Sequence, residues 1–137
     1  MIMQEFTLDK YDWFVKVYYV TSEYPLDMIR TDLLSLGCDE DSIEDDLNEM
    51  EQCKLNQGFI RSNLQGKKSI VIIGPTVNAA EFQDSLDHEK GHLAMHICIA
   101  YDIDPFSEEY QYLNGKIGHE MFIVAQNFLC DHCRKMV

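Results

Sequence analysis

Two periods of apolar residues run through the chain. Residues 13–20 (WFVKVYYV) are β-branched and aromatic, the pattern of a strand buried on at least one face. After Pro25 the period changes, and Leu26, Ile29, Leu33 and Leu36 fall at helical spacing, with Gly37 placed to cap the helix end. Ile43, Leu47 and Met50 mark one face of a second short helix whose other face is acidic. Residues 57–73 read as a hairpin, with Gly58-Phe59-Ile60-Arg61 rising, a turn near Gln65-Gly66, and Ser69 to Ile73 returning until Gly74-Pro75 stops the strand. Asn78 followed by Glu81 predicts the capped start of a long helix over 79–100. Asp104-Pro105 breaks that helix and opens another, reaching about Leu129. The order strand, helix, helix, hairpin, helix, helix predicts an α+β fold with helices stacked on a small sheet. We read residues 1–137 as one domain: 1–56 a strand and two helices, 57–74 the hairpin, 78–129 the helix pair, and 130–137 a tail.

Composition narrows the function classes. With 137 residues, 46% hydrophobic and 26% charged, the chain can bury a core and has no disordered signature. A formal charge of −13 argues against a nucleic-acid partner, which needs a basic stripe, and equally against an anionic membrane surface. No apolar run approaches the roughly 20 residues of a bilayer span. The first residues are acidic and lack the order of a secretion signal, which predicts a cytoplasmic protein. Five cysteines, an odd number, predict reduced thiols rather than a disulfide framework. The acidic run Asp39 to Glu51 lacks the turn glycine and ligand register of a calcium loop and reads as a solvated helix face.

The chemistry-bearing residues are concentrated in the second half, since all five histidines lie between His88 and His132. Two belong to His88-Glu89-Lys90-Gly91-His92, an H-E-x-x-H string inside the long helix. Four residues advance about 400°, so both imidazoles project from one face, about 6 Å apart along the axis. That spacing lets two nitrogens reach one Zn²⁺ at roughly 2.0–2.1 Å. Glu89, one step round the helix, is placed to take a proton from a zinc-bound water.

Together with Ser107-Glu108-Glu109-Tyr110-Gln111-Tyr112-Leu113-Asn114-Gly115, this string resembles small single-domain gluzincin-type zinc metallopeptidases, a type often encoded in bacterial prophages and other mobile elements. The resemblance spans about residues 69–125 and implies a zincin-like fold, Zn²⁺ held by His88, His92 and Glu108, and Glu89 as general base. Glu108 is preferred to Glu109 because it stands four residues before Tyr112, as in the E-x-x-x-Y pattern of that family. The implied activity is hydrolysis of peptide bonds in a peptide or protein substrate laid as an added strand along Ser69 to Ile73. The alternative is a non-catalytic zinc-binding protein of the same fold that serves as an interaction module, and a third reading is an acidic interaction module in which the H-E-x-x-H is accidental. Fifteen residues separate His92 from Glu108, about a turn fewer than in thermolysin-like enzymes. A tight antiparallel helix hairpin about residue 103 would set His119, not Glu108, level with His88. Glu108 would then need an early helix end or a steep crossing, which Gly115 and Gly118 permit.

Four further features carry competing readings. His96 extends the histidine row but cannot converge on the same ion, and reads as a partly buried core or supporting histidine. Asp84 is a candidate acceptor orienting an imidazole, and Tyr112 either donates to an oxyanion or packs between helices. Cys130-Asp131-His132-Cys133 is a C-x-x-C at the end of a helix, read as a frayed tail with free thiols. Cys38 and Cys53 joining it in a metal site is the lesser alternative. The sequence leaves the oligomeric state open.

Overall fold

The computed structural model describes residues 1–52 and 57–137. Its elements are β1 (Ile2–Leu8), β2 (Trp13–Tyr19), α1 (Leu26–Leu36), α2 (Glu40–Glu51), β3 (Gly58–Asn63), β4 (Lys68–Ile73), α3 (Ala79–Tyr101), α4 (Glu108–Ala125) and the single turn α5 (Asp131–Arg134). The strands form one mixed sheet in the order β1-β2-β4-β3. Two antiparallel hairpins, β1–β2 and β3–β4, are joined through a parallel pairing of β2 with β4. The α+β class holds, but β1 answers to no strand in the sequence reading. Its side chains alternate between half-buried and exposed, so IMQEFTL carries little apolar signal for an edge strand. Ser69 to Ile73, expected at the sheet edge, instead forms most of the central strand β4, and the edges fall to β1 and β3.

Alternation along the strands assigns each face to one helix pair. Val15, Val17, Tyr19, Ile60, Val71 and Ile73 point to the layer of α3 and α4, where they meet Phe82, Leu93, Ile97, Leu113, Ile117 and Met121. Tyr18, Ile70 and Ile72 point the other way, to Ile29, Leu33, Ile43, Leu47 and Met50 of α1 and α2. Helix ends follow local chemistry. Gly37 adopts φ 105°, and its N–H bonds the carbonyls of Leu33 and Leu34, closing α1. Asp39 caps α2 by accepting from the Ser42 N–H at 2.8 Å. Asn78 caps α3 by accepting from the Glu81 N–H at 2.9 Å, and Ser107, rather than Asp104, caps α4. α4 stops at Ala125, short of Leu129, and the chain turns so that Phe128 stacks on Phe82 and Tyr19, with centroids 4.9 and 5.8 Å apart. The acidic face of α2 is solvated except at Asp46, which turns inward to meet the Arg61 guanidinium at 2.5 Å. Among the described residues no helix is long and apolar enough to cross a membrane.

Candidate functional site

Helix α3 lies across β3 and β4 and brings the H-E-x-x-H residues to the start of β3. His88 and His92 are exposed on one face, with their Nε2 atoms 3.2 Å apart and their rings at 81°. A hydrogen bond at that distance requires one ring to carry its proton on Nε2 and the other on Nδ1. Glu89 turns inward and is only 4% exposed, its Oε1 4.0 Å from the His88 Nε2. Burial pushes its carboxyl above the ordinary range, against the opposing pull of His88, His92 and Arg61. The carboxylate fits there because residue 58 is glycine: a Cβ at that position would stand 2.8 Å from the Glu89 Cγ. Gln57, Gly58, Asp84, Ser85, His88 and Glu89 together line a cleft of about 220 Å³. Asp84 thus lies in the cleft wall, without a hydrogen bond to either imidazole.

One turn further on, a buried polar chain begins that the sequence did not reveal. The Trp13 indole N–H donates to Ser69 Oγ at 2.9 Å, Ser69 Oγ lies 2.6 Å from Ser62 Oγ, and Ser62 Oγ lies 2.7 Å from His96 Nδ1. Because the indole can only donate, the order Trp13 to Ser69 to Ser62 to His96 satisfies every hydroxyl and makes His96 Nδ1 an acceptor, hence a neutral ring. Burial first, then the charges of His92 and Arg61, lower the His96 pKa, consistent with that tautomer. The signal available in sequence was the cross-strand pair Ser62–Ser69, visible only once the hairpin register is known.

Among the described residues the outer edge of β3 carries no strand. The Gly74 N–H donates to the Gln57 carbonyl at 2.8 Å, which makes 57 and 74 a hydrogen-bonded pair. Alternation then turns the backbone N–H and C=O of Gly58, Ile60 and Ser62 away from β4. Arg61 Nη1 takes up the Ile60 carbonyl at 2.8 Å. Among the described residues no other strand pairs with this edge.

The expected third zinc ligand is elsewhere. Lys90 packs against Gly118, with its Nζ 3.4 Å from where a Cβ would be, so α3 and α4 form the tight antiparallel pair. The Tyr101 hydroxyl meets the Tyr11 carbonyl, and Glu109 accepts from the Tyr11 hydroxyl at 3.2 Å and pairs with Lys10 at 3.5 Å. Glu108 and Glu109 therefore begin α4 at the Tyr11 corner, whereas Glu89 lies about 18 Å back along α3 from Tyr101. Tyr112, 74% exposed, lines a separate cleft with Lys10, Tyr11 and Lys116, and neither faces the histidines nor packs between helices. His119 is level with the motif, as the hairpin geometry required, but is exposed. Among the described residues no group of three or more His, Cys, Asp or Glu side chains is arranged to hold a metal ion. Cys53 lies outside the described residues.

Comparison with protein-family models, with curated proteins and with solved structures finds no match. The resemblance to gluzincin-type metallopeptidases is therefore corrected on both counts. No relative supports it, and the set of His88, His92 and Glu108 does not fit a zinc centre, because the helix hairpin carries Glu108 to the far end of the sheet. Short motif spacing fixed which side chains share the face of α3; it held no information on the register of α4.

Proposed function

We propose that the chain is a peptide-binding module that takes an extended, positively charged segment along the free edge of β3. The observation that carries this reading is the juxtaposition of an unpaired strand edge with an acidic cleft at its beginning. Outward-facing backbone groups of Gly58 and Ser62, with the Ile60 N–H, would supply main-chain pairing, and the cleft would supply selectivity. Asp84 and Glu89 bring two carboxyl groups to that cleft, and the chain as a whole carries a charge of −13, so a lysine or arginine side chain is the complementary occupant. Fluorescence anisotropy with labelled eight-residue peptides tests this. Lysine- or arginine-containing peptides should bind, and N-methylation at alternate residues should abolish binding in one register. Asp84→Asn with Glu89→Gln should weaken it about tenfold, the size of one modest charge-assisted contact. Equal binding by glutamate-containing peptides, or no effect of N-methylation, overturns the reading.

A second reading, zinc-dependent hydrolysis of peptide bonds with Glu89 as general base on a zincin-like frame, is supported by one distance. The 3.2 Å between the histidine Nε2 atoms is close to the about 3.3 Å separating two nitrogens on one tetrahedral zinc. Two histidines alone make a two-point site, so this reading requires weak zinc binding that His88→Ala removes. Elemental analysis of wild type and His88→Ala after identical reconstitution tests the metal site on which it depends: about one zinc per chain, lost in the variant, supports that site, and zinc in neither rejects the reading.

A further inference from the structure

The Cys130–Cys133 segment was read from sequence as a frayed tail behind a helix, and the structure places it otherwise. Cys130 is the N-cap of α5, with φ −137° and ψ 126°, and the Arg134 N–H returns to its carbonyl at 3.0 Å. The turn is fastened to the start of α3 from both sides. Asp131 Oδ1 accepts from the Ala79 N–H at 2.8 Å, while Arg134 donates to Thr76 Oγ1 at 2.8 Å and to the carbonyls of Thr76 and Asn78 at 2.5 and 3.0 Å. Phe128, buried against Phe82, anchors the approach.

A docked helical turn holds the α-carbons of residues three apart at about 5 Å, inside the 4.4–6.8 Å window of a disulfide. Cys130 as the N-cap and Cys133 as the third residue of α5 stand one turn apart on that docked segment. Cys130 is exposed and Cys133 half-buried, so an incoming reagent meets Cys130 first. We propose that Cys130 and Cys133 are a redox-active dithiol that reduces disulfides by thiol–disulfide exchange, with Cys130 attacking and Cys133 resolving.

The Cys130 thiolate attacks one sulfur of a disulfide R–S–S–R, forming a mixed disulfide and expelling one thiolate R–S⁻. Cys133 then loses its proton and attacks the Cys130 sulfur, closing the Cys130–Cys133 bond and expelling the second R–S⁻. Two protein thiols are oxidised, one external disulfide is reduced to two thiols, and no other reactant is consumed. The surroundings of the two thiols favour this division of labour. The neighbouring Cys133 and His132 lower the Cys130 pKa, while the neighbouring Cys130 raises that of Cys133. The other described cysteines are poor competitors, since Cys98 is buried, Cys38 is half-buried, and burial raises both.

The test treats the full chain with glutathione disulfide and follows it by intact-mass and peptide mass spectrometry. Wild type should lose the mass of two hydrogens within the peptide carrying residues 130–133 and release two glutathione thiols per chain. Cys133→Ser should stop as a glutathione adduct on Cys130, and Cys130→Ser should react at least tenfold more slowly at this segment. Wild type that stays reduced, or that accumulates the adduct without closing the ring, overturns the proposal, as does equal labelling of both serine variants. Insulin reduction driven by dithiothreitol separates the substrate sources: acceleration by wild type but not by Cys130→Ser assigns protein disulfides, and no acceleration alongside reaction with glutathione disulfide assigns small ones.

Discussion

Replacing Ser69 by alanine tests the buried polar chain beneath α3. Ser69 is fully buried, and its Oγ is the acceptor for the indole N–H of Trp13, which is fully buried as well. Alanine leaves the backbone of β4 unchanged and removes one oxygen, so Trp13 keeps a desolvated donor without a partner. Such a loss costs about 1–3 kcal/mol. Ser62 keeps its bond to His96, so the second broken contact adds little, and about 2 kcal/mol is expected in all. For 137 residues the unfolding entropy turns this into a fall in Tm of about 7 °C. Trp13 is the single tryptophan of the chain and reports its own loss, so urea unfolding followed by its fluorescence gives the free energy directly. Ser69→Ala and Trp13→Phe, alone and combined and followed by circular dichroism, isolate the pair: the combined variant should cost less than the two separately. A cost below about 0.5 kcal/mol with an unchanged urea slope would refute the reasoning.

Three other outcomes are expected. Glu89→Gln should raise Tm at pH 7 and lose that advantage in acid. The raised carboxyl pKa means that the fold is favoured below the unfolded value and loses that contribution as pH rises through the folded one, so a Tm gain independent of pH would contradict it. His96 works the other way. Its lowered pKa supplies stability above the ordinary histidine value that is lost as pH falls through about 6.5 toward the folded pKa, and His96→Gln should flatten that part of the Tm–pH curve. Gly58→Ala should destabilise by about 1–3 kcal/mol through its clash with the Glu89 Cγ, and the cost should shrink when Glu89 is also alanine; an equal cost in both backgrounds would place the strain elsewhere.

Helix caps and apolar stripes were legible because each is a local statement. Asn78 with Glu81, and Gly37 after Leu36, mark the start of α3 and the end of α1 within a residue. The pairing of His88 with His92 was legible for the same reason, since four residues on a helix share a face whatever surrounds them. What failed was non-local. The edge strand β1 shows little apolar alternation because one side is half-buried and the other wet. The placement of β4 at the centre depends on β2 pairing beside it across more than fifty residues. Glu108 was assigned to the histidines by the resemblance, through the E-x-x-x-Y pattern, but the level at which α4 runs is set by Lys90 against Gly118 and by Glu109 at Tyr11. Cys130 was misread because α4 ends at Ala125 when Phe128 turns into the core, which frees the C-x-x-C to open a turn of its own.

The parallel seam between β2 and β4 has a kinetic consequence. Each hairpin can form from neighbouring chain, but the seam must close a loop containing α1 and α2 before the two halves become one sheet. The Trp13–Ser69 bond lies on that seam, whereas Gly58, Glu89 and the histidines all belong to the later half. In stopped-flow refolding, the tryptophan signal should therefore follow the joining of the halves, and helical circular dichroism should rise no later than it.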